Sequence, residues 1–463
     1  ETWIADRDRF GFEGMYSNER VSQPMLRIDG ALQVVDWEVA LNAAAEGLQK
    51  AAAVDKGATG FLASPMATVE ELYLLAQIAR GIGCANIDHR LRQLDFRAQE
   101  YEAPYPHLGL KVADVERLEG VLIVGSDLRH EMPMLAHRIR KAAVTRGAKV
   151  AFLNPRRFEF MFPVAGYAVQ SDMAGELTAL VHAAAGAAGK PLPKGVGTAT
   201  VTDAHRSLIA ALSHGTRRAV ILGTLAQRHP AYAQLKALSA ILADLCAASI
   251  GCITEGANAA GAYLAGAVPH REPGGAAVRS NGLSARKMLE APLKAYVLFG
   301  GIDPANDLSE DAAALASADF VLAVTTHLPD SLRGVAHVVL PIDSFAETSG
   351  TYVNAEGRWQ SWAGAAKLPG ESRPGWKVLR VLANLLNLHG IDYDSSDQIR
   401  DALKTLCGAR VEATGPIAGA AMPNGENPKG AWMDIPPYQS DVLVRGSEPL
   451  QKTKDGRMTR SVI

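Results

Sequence analysis

Short, uninterrupted runs of apolar residues recur along the chain. Longer stretches separate them, in which apolar residues are spaced as on one face of a helix. Val121–Val124 is such a run, and about 130–144 is the helical stretch that follows it. A strand buried on both faces has an uninterrupted apolar run, whereas a half-exposed strand alternates. The pattern therefore predicts parallel strands that alternate with helices, which is an α/β fold with doubly wound parallel sheets.

Further elements follow the same two patterns. Strands are predicted at Gly60–Ala63, Lys149–Leu153, Arg218–Leu222, Lys294–Phe299, Phe320–Val324 and His337–Leu340. Helices are predicted at about 36–50, 68–81, 171–187, 230–247, 372–388 and 396–406. One helix start is specified in detail. Thr68 and Glu71 have the spacing of a capping box, in which the two side chains satisfy exposed N–H groups of the first turn.

The order of the elements predicts two related α/β lobes, flanked by an arm and a tail. We predict an N-terminal arm at 1–50, a first lobe at 51–192, a second lobe at 193–390, and a C-terminal helix with an extended tail at 391–463. The boundary between the lobes is placed in a stretch rich in Gly, Pro and Lys at 186–197, which has the composition of a linker. The tail is rich in Gly, Pro, Asn and Lys, so we expect it to lie along a surface.

Two strands end in glycine turns that also carry an aspartate. The turn residues are Gly125, Ser126 and Asp127 after one strand, and Gly300, Gly301 and Asp303 after the other. In open α/β sheets, ligands bind at the carboxyl ends of strands, where exposed N–H groups can hold a phosphate and an aspartate can hold a ribose or a base. Tight turns that leave a parallel strand have the same residues, and neither copy is G-x-G-x-x-G. A nucleotide site and plain turns therefore both remain open.

A polar loop follows the strand that ends at Leu340, and it extends to Gln360. Pro341 ends the strand because proline has no N–H for the ladder. Glycine lets a backbone come close to another group, and we expect Asn354, Glu356, Gly357 and Arg358 to hold the loop against the ends of the sheet. Of these, Asn354 and Gly357 are candidates for a binding cleft at this edge.

The composition is that of a globular protein. Of the 463 residues, 48% are hydrophobic and 21% are charged, and the net charge is −2. Without a basic excess we expect no nucleic-acid partner. No apolar run approaches the ~20 residues that span a bilayer, so we expect no direct membrane insertion. The first residue is Glu1 rather than Met, so we expect a processed product or the C-terminal part of a longer protein.

The cysteines and histidines do not have the spacing of a metal site. None of the four cysteines belongs to a C-x-x-C pair, so neither an iron–sulfur cluster nor a zinc site is expected in this portion. His130 and His137 lie two helical turns apart without a third ligand nearby, which favours a solvated or capping role. We therefore predict no metal site here.

Six segments together carry a family resemblance. They are residues 3–14, 20–25, 64–90, 120–142, 337–360 and 434–451. The chain resembles the large subunit of the bacterial proton-pumping NADH–quinone oxidoreductase (respiratory complex I), the counterpart of the mitochondrial 75 kDa subunit. The loop at 337–360 alone resembles the wider molybdopterin-dependent oxidoreductase superfamily, and the arm and the tail are similar to the complex I branch.

The resemblance implies a molybdopterin-oxidoreductase-like fold without the C-terminal β-barrel that closes over the cofactor in that superfamily. It implies iron–sulfur clusters in an upstream part of the subunit and none in this portion. The implied partners are other peripheral-arm subunits of complex I, including the NADH-binding and cluster-bearing subunits. The implied location is the cytoplasmic side of the inner (plasma) membrane, where the complex would hold the chain peripherally.

One stretch departs from the pattern of the superfamily. Formate dehydrogenases and their relatives continue after the position of His89 with an Arg and then a Cys or selenocysteine that binds molybdenum, and this chain reads Arg90-Leu91-Arg92-Gln93-Leu94-Asp95 there. These residues cannot replace a soft thiolate ligand. The resemblance and this departure imply a non-catalytic scaffold with no cofactor and no catalytic residue, whose turn and loop candidates are remnants of a cofactor cleft. The alternative is an active molybdopterin-dependent oxidoreductase of the formate dehydrogenase type.

Overall fold

The computed structural model describes residues 3–308, 313–408 and 422–463. Part of the predicted tail, residues 409–421, therefore lies outside the described residues. None of the helices in the described part of the chain has the length and apolar character that a bilayer crossing requires.

The strands predicted from apolar runs are confirmed, each to within one residue at either end. In chain order the strands are β1 (Met25–Ile28), β2 (Ala31–Val34), β3 (Thr59–Ala63), β4 (Ile87–Asp88), β5 (Gly120–Val124), β6 (Lys149–Asn154), β7 (Gly166–Val169), β8 (Arg218–Leu222), β9 (Ser249–Cys252), β10 (Ala295–Phe299), β11 (Phe320–Thr325), β12 (Val338–Pro341), β13 (Gly350–Val353), β14 (Trp359–Trp362), β15 (Met433–Asp434) and β16 (Ser461–Val462). The strands that the pattern did not predict have at most four residues, and such short segments contain too few apolar positions to show a period.

The predicted helices are also present, and several short ones join them. The α-helices are α1 (Asp6–Phe10), α2 (Trp37–Val54), α3 (Val69–Gly81), α4 (Leu128–Glu131), α5 (Pro133–Arg146), α6 (Met173–Ala188), α7 (Asp203–Leu212), α8 (Thr224–Gln227), α9 (Tyr232–Leu245), α10 (Ala259–Leu264), α11 (Ala285–Glu290), α12 (Pro304–Asp307), α13 (Ala313–Ala316), α14 (Asp330–Val335), α15 (Gly375–Leu385), α16 (Ser396–Cys407), α17 (Val442–Gly446) and α18 (Glu448–Gln451). Short 3-10 helices lie at Gly11–Tyr16, Gln99–Tyr101, Val112–Arg117 and Pro437–Gln439.

Two sheets organise the chain. The seven-stranded sheet has the order β2-β1-β12-β11-β10-β3-β4, and the five-stranded sheet has the order β7-β6-β5-β8-β9. All neighbours in the five-stranded sheet are parallel, and so are the strands from β12 to β4 in the other sheet. The hairpin β1–β2 adds an antiparallel edge to β12. The predicted α/β class is confirmed, and no sheet of the described residues closes into a barrel.

The lobes do not have the boundaries that the sequence predicted. The chain leaves the seven-stranded sheet after β4, builds the whole five-stranded sheet, and returns to the first sheet at β10. The predicted division at 192/193 therefore falls inside the five-stranded unit, and the predicted first lobe contains strands of both sheets. Local periodicity identifies a strand, but it does not say which distant strand is its neighbour. We call the two units the seven-stranded lobe and the five-stranded lobe.

The predicted arm and tail also belong largely to the seven-stranded lobe. Strand β1 pairs with β12, and helix α2 packs against the sheet through Leu41 and Leu48. Helix α16 packs in the same core through Ile399 and Leu403. An apolar helix face must be buried against a partner, so these segments complete the lobe. From Trp432 onward the tail lies across both lobes, because Trp432 packs in the core of the five-stranded lobe and Arg445 pairs with α12.

Helices cover both faces of each parallel sheet, as the uninterrupted apolar runs predict. In β10, Val297 and Phe299 face the core that contains α2, α3 and α15, whereas Tyr296 and Leu298 face the core that contains α11 and α14. Successive side chains of a strand point to opposite faces, so a strand in this position must be apolar at every residue.

Candidate functional site

A cavity of about 690 Å³ lies between the two lobes. The carboxyl ends of strands from both sheets border it. From the seven-stranded lobe the residues after these strands are Ser64, Gly300, Thr326 and Ile342, and from the five-stranded lobe they are Asp127, Thr224 and Ile253. Ligands of open α/β proteins bind at such ends, and a volume in this range suits a small organic molecule. The cavity is the candidate functional site.

Four of the eight cleft residues predicted from the sequence line this cavity. They are Asp127, Gly300, Gly301 and Asn354. Both glycine turns have the left-handed backbone that favours glycine, with φ of +63° at Gly125 and +88° at Gly300. A Cβ at Gly125 would lie 2.6 Å from the Ala226 nitrogen. Packing alone therefore requires glycine at position 125, independently of any ligand.

The aspartate and serine after β5 are engaged by neighbours in the same lobe. Asp127 Oδ2 lies 2.7 Å from His130 Nδ1, and this hydrogen bond raises the pKa of His130. Ser126 donates through its hydroxyl to Glu131 Oε2 at 2.7 Å, and Thr224 N–H donates to the same oxygen at 3.1 Å. Burial raises the pKa of Glu131. These side chains close the strand end with a local network.

The aspartate after β10 faces the tail. Asp303 accepts hydrogen bonds from Ala305 N–H at 3.1 Å and from the Ser331 hydroxyl at 2.6 Å. Its own N–H donates to Asp307 Oδ2 at 2.8 Å. Arg445 of the tail pairs with Asp307 at 2.8 Å. The sequence prediction did not include Asp307, because its relation to Arg445 depends on how the tail returns across the lobe.

The predicted polar loop contains the hairpin β13–β14, and its turn links the two lobes. Asn354 Oδ1 accepts from Glu356 N–H at 3.1 Å and from Arg358 N–H at 2.9 Å, and Gly357 has φ of +81°. At the same turn, Glu356 Oε2 accepts from Val112 N–H at 2.8 Å. Asn354 and Gly357 thus shape a turn whose tip contacts the five-stranded lobe. The expectation that they hold the loop against the ends of the sheet stays a prediction.

Arg90 lies close to the position where the resemblance to the superfamily predicts a metal ligand. Its guanidinium group makes a bidentate pair with Asp88, at 2.8 Å and 2.9 Å, and both side chains are at most 1% exposed. The Phe96 ring lies 4.6 Å from the Arg90 guanidinium carbon. Burial lowers the pKa of the adjacent His89 to about 4, so this imidazole is neutral at pH 7. The segment is held by its own ion pair.

Arg92 lines the cavity and joins both lobes and the tail. It pairs with Glu255 of the five-stranded lobe and, at 2.5 Å, with Asp307 of the seven-stranded lobe. It also donates to the Ser440 carbonyl of the tail at 3.1 Å. Burial alone would raise the pKa of Glu255, but the guanidinium groups of Arg228 and Arg92 lower it below its ordinary value. None of the residues in this network is among the eight cleft residues predicted from the sequence. They lie too far apart in the sequence to form a motif.

Comparison with known proteins identifies the family of this chain. The family model described as molybdopterin oxidoreductase matches residues 20–385, which is most of the chain. The chain belongs to the molybdopterin oxidoreductase family. The predicted membership in this superfamily is therefore confirmed.

Curated relatives are subunits of NADH-quinone or NADH-ubiquinone oxidoreductases. An NADH-quinone oxidoreductase subunit of Mycobacterium bovis is 28% identical over 95% of this chain and 57% of its own length. The corresponding protein of Streptomyces coelicolor is 28% identical over 84% of this chain and 49% of its own length. The mitochondrial NADH-ubiquinone oxidoreductase 78 kDa subunit of Candida albicans is 24% identical over 86% of this chain and 49% of its length. The predicted relation to the large subunit of complex I is confirmed, and the chain spans about half the length of these relatives.

Solved structures share the fold at low sequence identity. The formyltransferase/hydrolase complex of Methylorubrum extorquens gives a TM-score of 0.56 at 16% identity, covering 79% of this chain and 98% of the matched chain. Acetylene hydratase from Pelobacter acetylenicus gives a TM-score of 0.50 at 14% identity, covering 83% of this chain and 64% of that one. These similarities concern the fold alone.

The cavity does not offer the sulfur ligand that the molybdopterin resemblance leads one to expect. Arg90 is bound to Asp88, and no cysteine is among the described residues that line the cavity. Within the described part of the chain, no group of three or more His, Cys, Asp or Glu side chains is arranged to hold a metal ion. A guanidinium group carries only donors and a permanent positive charge, so it cannot ligate a metal cation. The donor set therefore does not fit a thiolate-ligated molybdenum centre.

Proposed function

We propose that the chain is the molybdopterin-fold portion of the large peripheral-arm subunit of respiratory complex I, and that it acts there as a non-catalytic scaffold. The complex as a whole transfers electrons from NADH to quinone and couples this transfer to proton pumping. The portion itself holds no cofactor and has no catalytic residue. The iron–sulfur clusters belong to an upstream part of the same subunit.

The observation that carries the proposal is the ion-pair network at positions 90 and 92. Arg90 is paired with Asp88 through two hydrogen bonds, and Arg92 is paired with Glu255 and Asp307. Buried ion pairs of this kind fix the relative positions of the segments that contribute to them, because breaking one leaves an uncompensated buried charge. The cleft wall is thus built to connect two lobes and a tail, which supports a structural role.

The partners in this proposal are the other peripheral-arm subunits, including the NADH-binding and the cluster-bearing subunits. The names of the curated relatives support this assignment. The portion is peripheral and is held on the cytoplasmic side of the membrane by the complex. No contact with nucleic acid is part of the proposal.

The test is metal analysis of the chain purified from its own cells, together with identification of the proteins that copurify. We expect far less than one molybdenum or tungsten atom per chain and no pterin fluorescence after acid denaturation. We also expect the NADH-binding and cluster-bearing subunits to copurify with an affinity-tagged chain. Stoichiometric molybdenum with formate-oxidising activity would contradict the proposal and favour an active molybdopterin-dependent oxidoreductase.

A further inference from the structure

One corner of the cavity is built differently from the rest. It lies where helix α3 begins, where the loop after β12 passes, and where the hairpin β13–β14 closes over them. Carboxylates, hydroxyls and aromatic rings line it together. The residues that form this corner, which we call the carboxylate corner, are Thr68, Glu71, Asp343, Ser344, Tyr352 and Trp362.

Two buried side chains of the carboxylate corner each have one polar atom without a hydrogen-bond partner. Asp343 accepts a hydrogen bond from Gly375 N–H at 3.0 Å through Oδ1, and the Thr348 side chain lowers its pKa, but its Oδ2 has no partner of good geometry. The Ser344 hydroxyl also has no hydrogen bond. Both residues are only 4% exposed and both line the cavity. Buried polar atoms in folded proteins are normally hydrogen-bonded, so these two are placed to receive a donor from outside the chain.

Glu71, in contrast, is satisfied by its own helix. Its Oε2 accepts from Thr68 N–H and from the Thr68 hydroxyl, both at 2.8 Å, which is the predicted capping box. The residue is 6% exposed and carries its negative potential into the same corner as Asp343. Glu71 therefore supplies charge, and Asp343 supplies the vacant acceptor.

A basic group near this pair is already bound to another carboxylate. Arg20 forms its ion pair with Glu347 and donates to the Ile342 carbonyl at 3.3 Å, and the negative charge of Asp343 also acts to raise its pKa. Burial raises the pKa of Glu71 to about 7, with Glu70 adding to the shift, and burial together with the charges of Glu71 and Glu347 raises the pKa of Asp343 to about 8. A proton therefore occupies the corner at neutral pH, and a cation that displaced it would gain the charge of both carboxylates.

Aromatic rings form the remaining wall. The Tyr352 and Trp362 rings are 4.7 Å apart in an edge-to-face arrangement. Each ring is fixed at its polar end, because Tyr352 O–H donates to the Met66 carbonyl at 2.7 Å and Trp362 Nε1–H donates to the Phe345 carbonyl at 2.8 Å. Ring faces attract cations, and flat apolar walls favour a flat apolar ligand.

We propose that the carboxylate corner binds a small organic cation whose ammonium or amidinium group donates to Asp343 Oδ2 and Ser344 Oγ. Its apolar body lies against Tyr352 and Trp362. An anion would meet two carboxylates and is disfavoured. A coordinated metal ion is disfavoured because no three-ligand group of His, Cys, Asp or Glu occurs in the described part of the chain.

The test compares benzamidine with benzamide on the purified chain by titration calorimetry at pH 8. The two molecules have nearly the same shape, and only benzamidine carries the charge. We expect saturable one-to-one binding of benzamidine and at least about tenfold weaker binding of benzamide, as charge-assisted hydrogen bonds outweigh neutral ones. Benzamidine should also bind more weakly at pH 6, because a proton then competes for the corner formed by Glu71 and Asp343 beside the Arg20–Glu347 pair.

Two variants separate the corner from the rest of the cavity. Asp343→Asn removes the charge at nearly constant volume and should weaken benzamidine binding by at least about tenfold. Asp434→Asn changes a carboxylate that lines the same cavity but pairs with Arg156, and it should leave binding unchanged. Circular dichroism checks that both variants fold, and the benzamidine–benzamide comparison on the unchanged chain needs no variant. Equal binding of the two ligands, no saturation, or displacement of benzamidine by K⁺ or Ca²⁺ would overturn the proposal.

Discussion

At the scale of single residues, the cleft is governed by charges that are buried and paired. Asp88 and Arg90 are almost completely inaccessible, and two hydrogen bonds between their side chains join them. A buried ion pair adds little net stability over an apolar pair, but the loss of one partner is costly because the other charge stays buried. Both members of this pair therefore matter to the fold.

Asp88→Asn should destabilise the chain by about 3–5 kcal/mol, since Arg90 would keep its charge without this carboxylate partner. Asp114→Asn is the matched control, because Asp114 forms a solvent-exposed pair with Arg117 at 3.4 Å. Exposed pairs contribute roughly 0–1 kcal/mol, so the control should change little. Urea denaturation followed by circular dichroism measures both, and equal losses in the two variants would refute this account of Arg90.

At the scale of elements, the start of α3 combines a structural and a chemical function. Thr68 accepts from Glu71 N–H at 3.2 Å while Glu71 accepts from Thr68 N–H, so both ends of the capping box are closed. The same box positions the Glu71 carboxylate at the wall of the cavity. A local sequence signal, Thr-x-x-Glu, thus determines where a charge of the site is placed.

Replacing Thr68 by Ala should lower the free energy of unfolding by about 1 kcal/mol, because the first turn of α3 loses its side-chain acceptor. Thr68→Ser keeps the hydroxyl and should stay much closer to the parent. Thermal denaturation of the two variants at one pH compares them directly. A Ser variant as unstable as the Ala variant would show that the Thr68 methyl group, and not the cap, is responsible.

At the scale of the whole molecule, the two lobes and the tail are connected through Arg92. This side chain contacts Glu255, Asp307 and the Ser440 carbonyl, which belong to the five-stranded lobe, the seven-stranded lobe and the tail. Arg445 adds a second connection between the tail and Asp307 at 2.8 Å. The tail lines part of the cavity, so these two connections hold a part of the cavity wall in place.

Arg92→Met should increase amide hydrogen exchange in residues 436–446, because the tail loses a charged anchor while Arg445 still holds it in place. The effect should be local, with the strands of both sheets keeping their protection. Arg206→Met, at an exposed pair with Asp203 on α7, is the control and should leave the tail unchanged. Unaltered exchange in the tail of the Arg92 variant would contradict the proposed connection.

The sequence by itself determined the local elements and the family. Uninterrupted apolar runs specify buried parallel strands, and Thr68 with Glu71 specifies a helix start, because these signals depend on neighbours within a few residues. Only the tertiary structure decided which strands share a sheet, since the chain leaves the seven-stranded sheet and returns to it after some 200 residues. The same holds for the partners of Arg92 and for the carboxylate corner, where Asp343 meets Glu71. Contacts between residues so distant in the chain have no local period, so the burial and charge that they create appear only when the chain is folded.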